Sequence, residues 1–240
     1  MKASVLSAFK SFSTKFEGAL DYMYTDVKGL VTTGIGNLID PMAAALVLPW
    51  KRSDGGSASQ DEISTEWQRV KDAWPDVQSV ATRSITTLHL DPKDIDWIVS
   101  SKAAQNEDTL RKRYPDYDNW PADAQLGLLS MAWAMGPAFN FPRFAAAANA
   151  YDFRTAAVES HMNDVGNPGL VPRNAANVVL FNNAATVLEG GGDREALYWP
   201  SALVKGAVVK KSSVLGVVAT IGAIAVAASG AAWYFFRGRA

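Results

Sequence analysis

The 240-residue chain is 48% hydrophobic and 20% charged, the balance of a folded protein rather than a disordered one. It has no cysteine, which excludes structural disulfides, cysteine-ligated zinc and thiol catalysis, and its two histidines, His89 and His161, are too few for a histidine-rich metal site. The net charge of −1 hides a split: five of the 23 basic residues and none of the 24 acidic ones follow Glu195, so an acidic body precedes a basic tail, which argues against general nucleic-acid binding.

The N-terminal stretch carries Val5, Leu6, Phe9, Phe12 and Phe16 at helical spacing, with Lys10 and Lys15 interrupting any run long enough for a secretion signal. It predicts an amphipathic helix leading directly into Glu17. From Tyr22 to Gly36 aromatic and β-branched residues alternate with turn formers, which predicts a small hairpin or meander turning at Lys28-Gly29. Residues 53–59 read as a polar loop, and Ile63, Trp67, Val70 and Trp74 mark the apolar face of the helix after it. At this spacing Trp67 and Trp74 are expected in the core. A further helix enters at Asp91-Pro92, and residues 122–135, with a single charge, predict a buried helix stopped by Gly136-Pro137. Later helices are expected near 141–150, 154–163 and 173–188.

After the glycine-rich break at 190–192 the texture changes again. Residues 212–236 hold no charge over 25 positions and are flanked by Lys210-Lys211 and by Arg237 and Arg239, with Trp233 and Tyr234 near one end. About 20 apolar residues suffice to cross a bilayer as a helix, so this segment predicts a transmembrane helix. The expected organisation is a catalytic domain over 1–195, a basic linker over 196–211 and the span over 212–236.

Chemistry is suggested by three residues near the N-terminus. Glu17 ends an apolar helix, and Asp26 and Thr32 lie in the β-rich stretch that follows. A carboxyl beside a helix and apolar side chains is desolvated and holds its proton, whereas one in a polar turn is solvated and charged. Glycoside hydrolysis needs that division between a proton donor and a second carboxylate. Thr32 could hold a water beside Asp26. Asp21 competes with Asp26 for the second role, although its spacing suits a helical i,i+4 pair with Glu17. The string Gly34-Ile35-Gly36-Asn37 lacks the context of a nucleotide loop and reads as a turn. Trp50, beside Lys51-Arg52 and the polar loop, is the tryptophan placed to stack on a sugar; His161 reads as ordinary surface.

The ungapped run FEGALDYMYTDVKGLVTTGIGNLID resembles the catalytic segment of phage T4-type lysozymes. That family has Glu-Gly at a helix end, an Asp nine residues on, a Thr six further and a Gly-Ile-Gly turn, matched by Glu17-Gly18, Asp26, Thr32 and Gly34-Ile35-Gly36. Tyr24 falls where the family carries an aromatic. LLSMAWAMGPAF at 128–139 is similar to the family's central helix, and NPGLVPRNAANVVLF at 167–181 to the start of its penultimate helix. The 48–74 stretch looks closest to muramidase domains of type VI secretion spike proteins and phage lytic enzymes.

The resemblance implies an α+β, mostly helical lysozyme-like fold with a small β lobe, and a cofactor-independent and metal-independent muramidase acting on peptidoglycan glycan strands. Glu17 would be the general acid, with Asp26 and Thr32 positioning the attacking water. This implies inversion, for which carboxyls stand roughly 6.5–9.5 Å apart. Tyr24, Trp50 and Arg173 are the expected substrate-binding residues, Arg173 matching an arginine that could pair with Glu17 or Asp26 or cap its helix. Two departures stand out: Asn37 replaces a common histidine, and Asn174 follows Arg173 where a second arginine is usual.

Other functions compete with inverting hydrolysis. A lytic transglycosylase would use the same acid with a muramyl hydroxyl as nucleophile. A membrane-inserting, non-enzymatic effector would use the body to bind the wall. A terminal span also implies membrane association, with action on the periplasmic wall only after delivery or release, so a delivery machine or an inhibitor protein would be a partner.

Overall fold

Residues 1–204 are described by a computed structural model, which is mixed α+β, mostly helical, with one small antiparallel sheet. The first helix, α1 (Ala3–Glu17), buries Val5, Phe9 and Phe12, one face at helical spacing. It ends at Gly18, whose φ of 72° suits glycine and whose amide donates to the Thr14 carbonyl at 3.0 Å. Glu17 is therefore the last helical residue. The sheet follows at once: β1 (Leu20–Thr25), β2 (Val31–Gly34) and β3 (Asn37–Leu38) form a meander in that order. Tyr24 pairs with Thr32 and Thr32 with Leu38, so these three residues form one row across the sheet.

A short helix, α2 (Ala43–Leu46), precedes the polar loop, and α3 (Gln60–Asp72) starts on a capping box between Ser59 and Glu62. α3 stops short of Trp74, which is 40% exposed rather than in the core as its spacing with Trp67 suggests. Trp67 is buried as expected, its indole N–H donating to the Ile39 carbonyl at 2.8 Å. A 3-10 segment over Ser79–Ile85 leads to α4 (Pro92–Arg113), with proline in its first turn.

The second half packs around α5 (Ala122–Met135), which is buried on every side from Ala122 to Trp133. Around it lie α6 (Pro142–Asn149), α7 (Phe153–Glu159) and α8 (Leu170–Gly190). Close approach of α5 to α8 depends on Gly127: a Cβ there would lie 2.8 Å from the Phe181 ring.

Residues 196–203 are docked on this helical body. Asp123, fully buried on α5, accepts from the Tyr198 and Trp199 amides at 2.9 and 3.0 Å and from Asn183 at 2.9 Å. Asn183 also binds the Ser201 carbonyl and the Leu203 amide, both at 2.8 Å. Trp199 meets Phe12 edge-on at 4.9 Å and lies under Lys15 at 4.3 Å. The stretch from Ala196 to Leu203, which composition assigns to a linker, is thus tied to α1, α5 and α8. Among the described residues no helix is long and apolar enough to cross a membrane; the span expected at 212–236 lies outside them.

A chain ending at Glu195 leaves the Asp123 carboxylate short of two buried donors, a loss of about 2 kcal/mol or more. At roughly 2–4 °C per kcal/mol for a domain of this size, its melting temperature is expected to fall by about 4–8 °C or more. A chain ending at Val204 keeps every one of these bonds, and calorimetry should find it as stable as the full chain in this transition. Equal melting of the two shortened chains would show that the strap contributes nothing.

Candidate active site

Glu17 stands where α1, the β2–β3 turn, α5 and α8 meet. Its carboxylate forms an ion pair with Arg173 in the first turn of α8. Arg173 is 1% exposed, so its charge must be satisfied inside the protein. Its second amino group reaches the Ser130 carbonyl at 3.3 Å and hydroxyl at 3.4 Å, and the guanidinium lies over the Phe16 ring at 4.7 Å. Arg173 therefore supports Glu17 from within. This corrects its expected place among substrate-binding residues: so buried a guanidinium cannot reach out to a sugar.

The turn at Gly34-Ile35-Gly36 closes the opposite side of Glu17. Gly36 has φ of 68°, and a Cβ on it would stand 3.0 Å from a Glu17 carboxylate oxygen. Ile35 is fully buried, and its carbonyl accepts from the Trp133 indole at 3.0 Å, which locks the turn to α5. Trp133 in turn packs edge-on against Phe9 of α1 at 5.1 Å. A row of contacts from α1 through α5 to the turn thus fixes the wall behind the carboxyl.

Burial raises the Glu17 pKa above the ordinary carboxylate value, and the Arg173 charge opposes that rise without cancelling it. On Arg173 burial lowers the pKa while Glu17 raises it. Tyr24 is nearly buried, and its phenol is pushed up first by burial and then by the charges of Glu17 and Asp26, against a hydrogen bond from the Gly36 backbone. The phenol therefore lies within electrostatic reach of both carboxylates.

Asp26 lies just past β1. One carboxylate oxygen, Oδ1, accepts from the Lys28 and Leu30 amides at 2.8 and 2.9 Å, and its backbone closes the loop through Leu30 and Gly29 at 3.0 Å each. Thr32 is buried beside Tyr24 and donates its hydroxyl to the Leu30 carbonyl at 3.2 Å, leaving oxygen lone pairs to accept. Asp21 is drawn elsewhere, facing Arg83 at 4.0 Å from its place on β1 rather than stacking on Glu17 along a helix.

Trp50 is also corrected. It is 1% exposed, with its indole N–H spent on the Ala45 carbonyl at 3.0 Å, and so has no face to offer a sugar. Lys51-Arg52 follow it in sequence, but its backbone and indole N–H groups are bonded back to the Leu48 and Ala45 carbonyls. Ser130 and Trp133 escape the sequence reading. Their signal is faint: one hydroxyl and one indole N–H in a mostly apolar, buried helix, each needing a buried partner. A cavity of about 360 Å³ lies apart from this cluster, lined by Arg52, Arg69 and Glu66 among others. Glu66 is saturated there by the Thr87 and Leu88 amides and the Thr87 hydroxyl, which marks it as a structural carboxylate.

Compared with known protein families the chain matches none, and no curated protein matches it.

Two substitutions test this arrangement without reference to any reaction. Arg173→Met removes the charge that lowers the Glu17 pKa, so carboxyl NMR titration should find that pKa higher than in the parent, with Arg173→Lys between the two. An unchanged or lower value contradicts the assignment. Gly36→Ala places a Cβ against Glu17 at a positive φ; denaturant melts should show a loss of about 1–2 kcal/mol or more from backbone strain alone.

Proposed function

We propose that this chain is a muramidase of the phage T4-type lysozyme kind, hydrolysing the β-1,4 bond between N-acetylmuramic acid and N-acetylglucosamine. The observation that carries the reading is the unequal pair of carboxyls, Glu17 and Asp26, whose charges both reach the Tyr24 phenol. Glu17 is partly buried and desolvation raises its pKa above the ordinary carboxylate value, the direction a proton donor needs. Asp26 sits in a loop that binds one of its oxygens through two amides and leaves the other without such a partner.

Glu17 gives its proton to the glycosidic oxygen as the bond to the muramyl anomeric carbon breaks. A water held by Asp26 and Thr32 adds to that carbon and passes its proton to Asp26. The product is a new reducing end of opposite anomeric configuration. The positive charge that develops on the sugar ring is met by the carboxylates; the Arg173 guanidinium, pointed at Glu17, stabilises the acid after it has lost its proton.

The sequence matches at Glu17-Gly18, Asp26, Thr32 and 34–36 add independent support, and the small sheet puts Tyr24, Thr32 and Leu38 in one row beside them. The cellular setting follows from sequence alone. An apolar stretch at 212–236 would hold the enzyme at a membrane, and the periplasmic wall would become accessible on delivery or release, by a phage or by a secretion machine.

Glu17→Gln is expected to reduce turnover of purified sacculi by roughly 10²–10⁴-fold, the usual contribution of a positioned general acid. Mass spectrometry of parent digests should find muropeptides with reducing ends. Full activity of the variant removes Glu17 from the reaction, and 1,6-anhydromuramic ends identify a lytic transglycosylase instead.

A further inference from the structure

The loop that presents Asp26 is held from outside the candidate site. Lys71, in the last turn of α3, donates from Nζ to the Gly29 carbonyl at 2.8 Å and to Asp40 at 2.6 Å. Asp40 in turn accepts from the Val31 amide at 3.2 Å, where β2 begins. One ammonium thus ties the tip of the 26–30 loop and the strand after it to the same helix. Burial pushes the Asp40 carboxyl up, but Lys71 and the Val31 amide outweigh it and hold the carboxyl below its ordinary value, as for a committed ion pair.

Trp74 closes the other side. Gly29 has φ of 74°, and a Cβ on it would stand 2.8 Å from the Trp74 ring, so the indole lies directly on the glycine. Gly29 is the residue whose amide donates to the Asp26 carbonyl, and its neighbours Lys28 and Leu30 supply the two amides bound to Asp26 Oδ1. Displacing Gly29 must therefore move the amides that aim the carboxylate.

We propose that Lys71, bracketed by Asp40 and Trp74, is a positioning residue that sets the orientation of the Asp26 carboxylate by gripping Gly29. None of the three touches Glu17 or Arg173. The catalytic consequence rests on the muramidase reading; the mechanical one does not. A carboxylate aimed at a water tolerates little displacement, since a misplacement of about 1 Å can cost roughly 100-fold in rate.

The test uses the full chain. Lys71→Met should lower kcat on sacculi by about 10–100-fold with little change in KM. Lys71→Arg, which keeps the charge and can still reach both acceptors, should recover most of the loss. In an Asp26→Asn background Lys71→Met should cause no further loss, because its effect passes through Asp26. Amide hydrogen exchange supplies a readout without substrate: Lys28 and Leu30 should exchange faster in Lys71→Met, while α1 and α5 keep their protection. If Lys71→Met does not fold, Trp74→Leu frees the other face of Gly29 and should show the same pattern. Unchanged exchange at Lys28 and Leu30 overturns the grip itself. An active parent with unchanged kcat in the variant, or a loss that adds to that of Asp26→Asn, overturns the positioning role. An inactive parent counts against the muramidase reading and leaves exchange to decide the grip.

Discussion

A guanidinium as buried as Arg173 has to find its partners inside the protein, and the candidate site is organised around that need. An unpaired charge in such a place costs several kcal/mol. Glu17 supplies the counter-charge, Ser130 two acceptors and Phe16 a ring face. These partners come from α1 and α5 while Arg173 itself is on α8, so the cluster forms only when the three helices have assembled. Glu17's own desolvation raises its pKa, and the attraction of Arg173 opposes that rise without cancelling it. The ion pair thus links a structural constraint on Arg173 to the acidity of Glu17.

The second carboxylate is supported by separate parts. Asp26 belongs to a hairpin loop whose hydrogen bonds are local and whose outer anchors, Lys71 and Trp74, lie at and beyond the end of α3. Glu17 is fixed by the helical body, and Asp26 by the sheet and the helix behind it. The Tyr24 phenol feels both charges. Two supports that share few residues allow the two carboxyls to differ in environment, which the proposed hydrolysis requires.

Much of this was legible from residue order. The 5-9-12 apolar face predicts α1, Gly18 marks its end, and Lys28-Gly29 is indeed within the turn of the hairpin. The near-absence of charge over 122–135 foretells the central helix. The tryptophans were not legible in the same way. Periodicity assigns Trp67 and Trp74 to one face, but α3 ends at Asp72, so Trp74 leaves that face and settles on Gly29 instead. Trp50 directly precedes Lys51-Arg52 yet is buried, its indole N–H bonded to the Ala45 carbonyl. Lys71 and Asp40 are 31 positions apart, and nothing local in either announces the other. The docking of residues 196–203 was hidden for a similar reason: it depends on one buried aspartate, Asp123, that composition cannot distinguish from a surface residue.

The proposed pairing of Glu17 as acid with Asp26 and Thr32 around a water makes a stereochemical commitment that no structural role for these residues shares. It is read most directly by proton NMR of the anomeric signals formed in the first moments of digestion of a soluble β-1,4 glycan strand, before mutarotation mixes them. Water attacking from the face opposite the leaving oxygen yields the α-anomer first. A β-anomer appearing first, or products without a reducing end, would contradict the account.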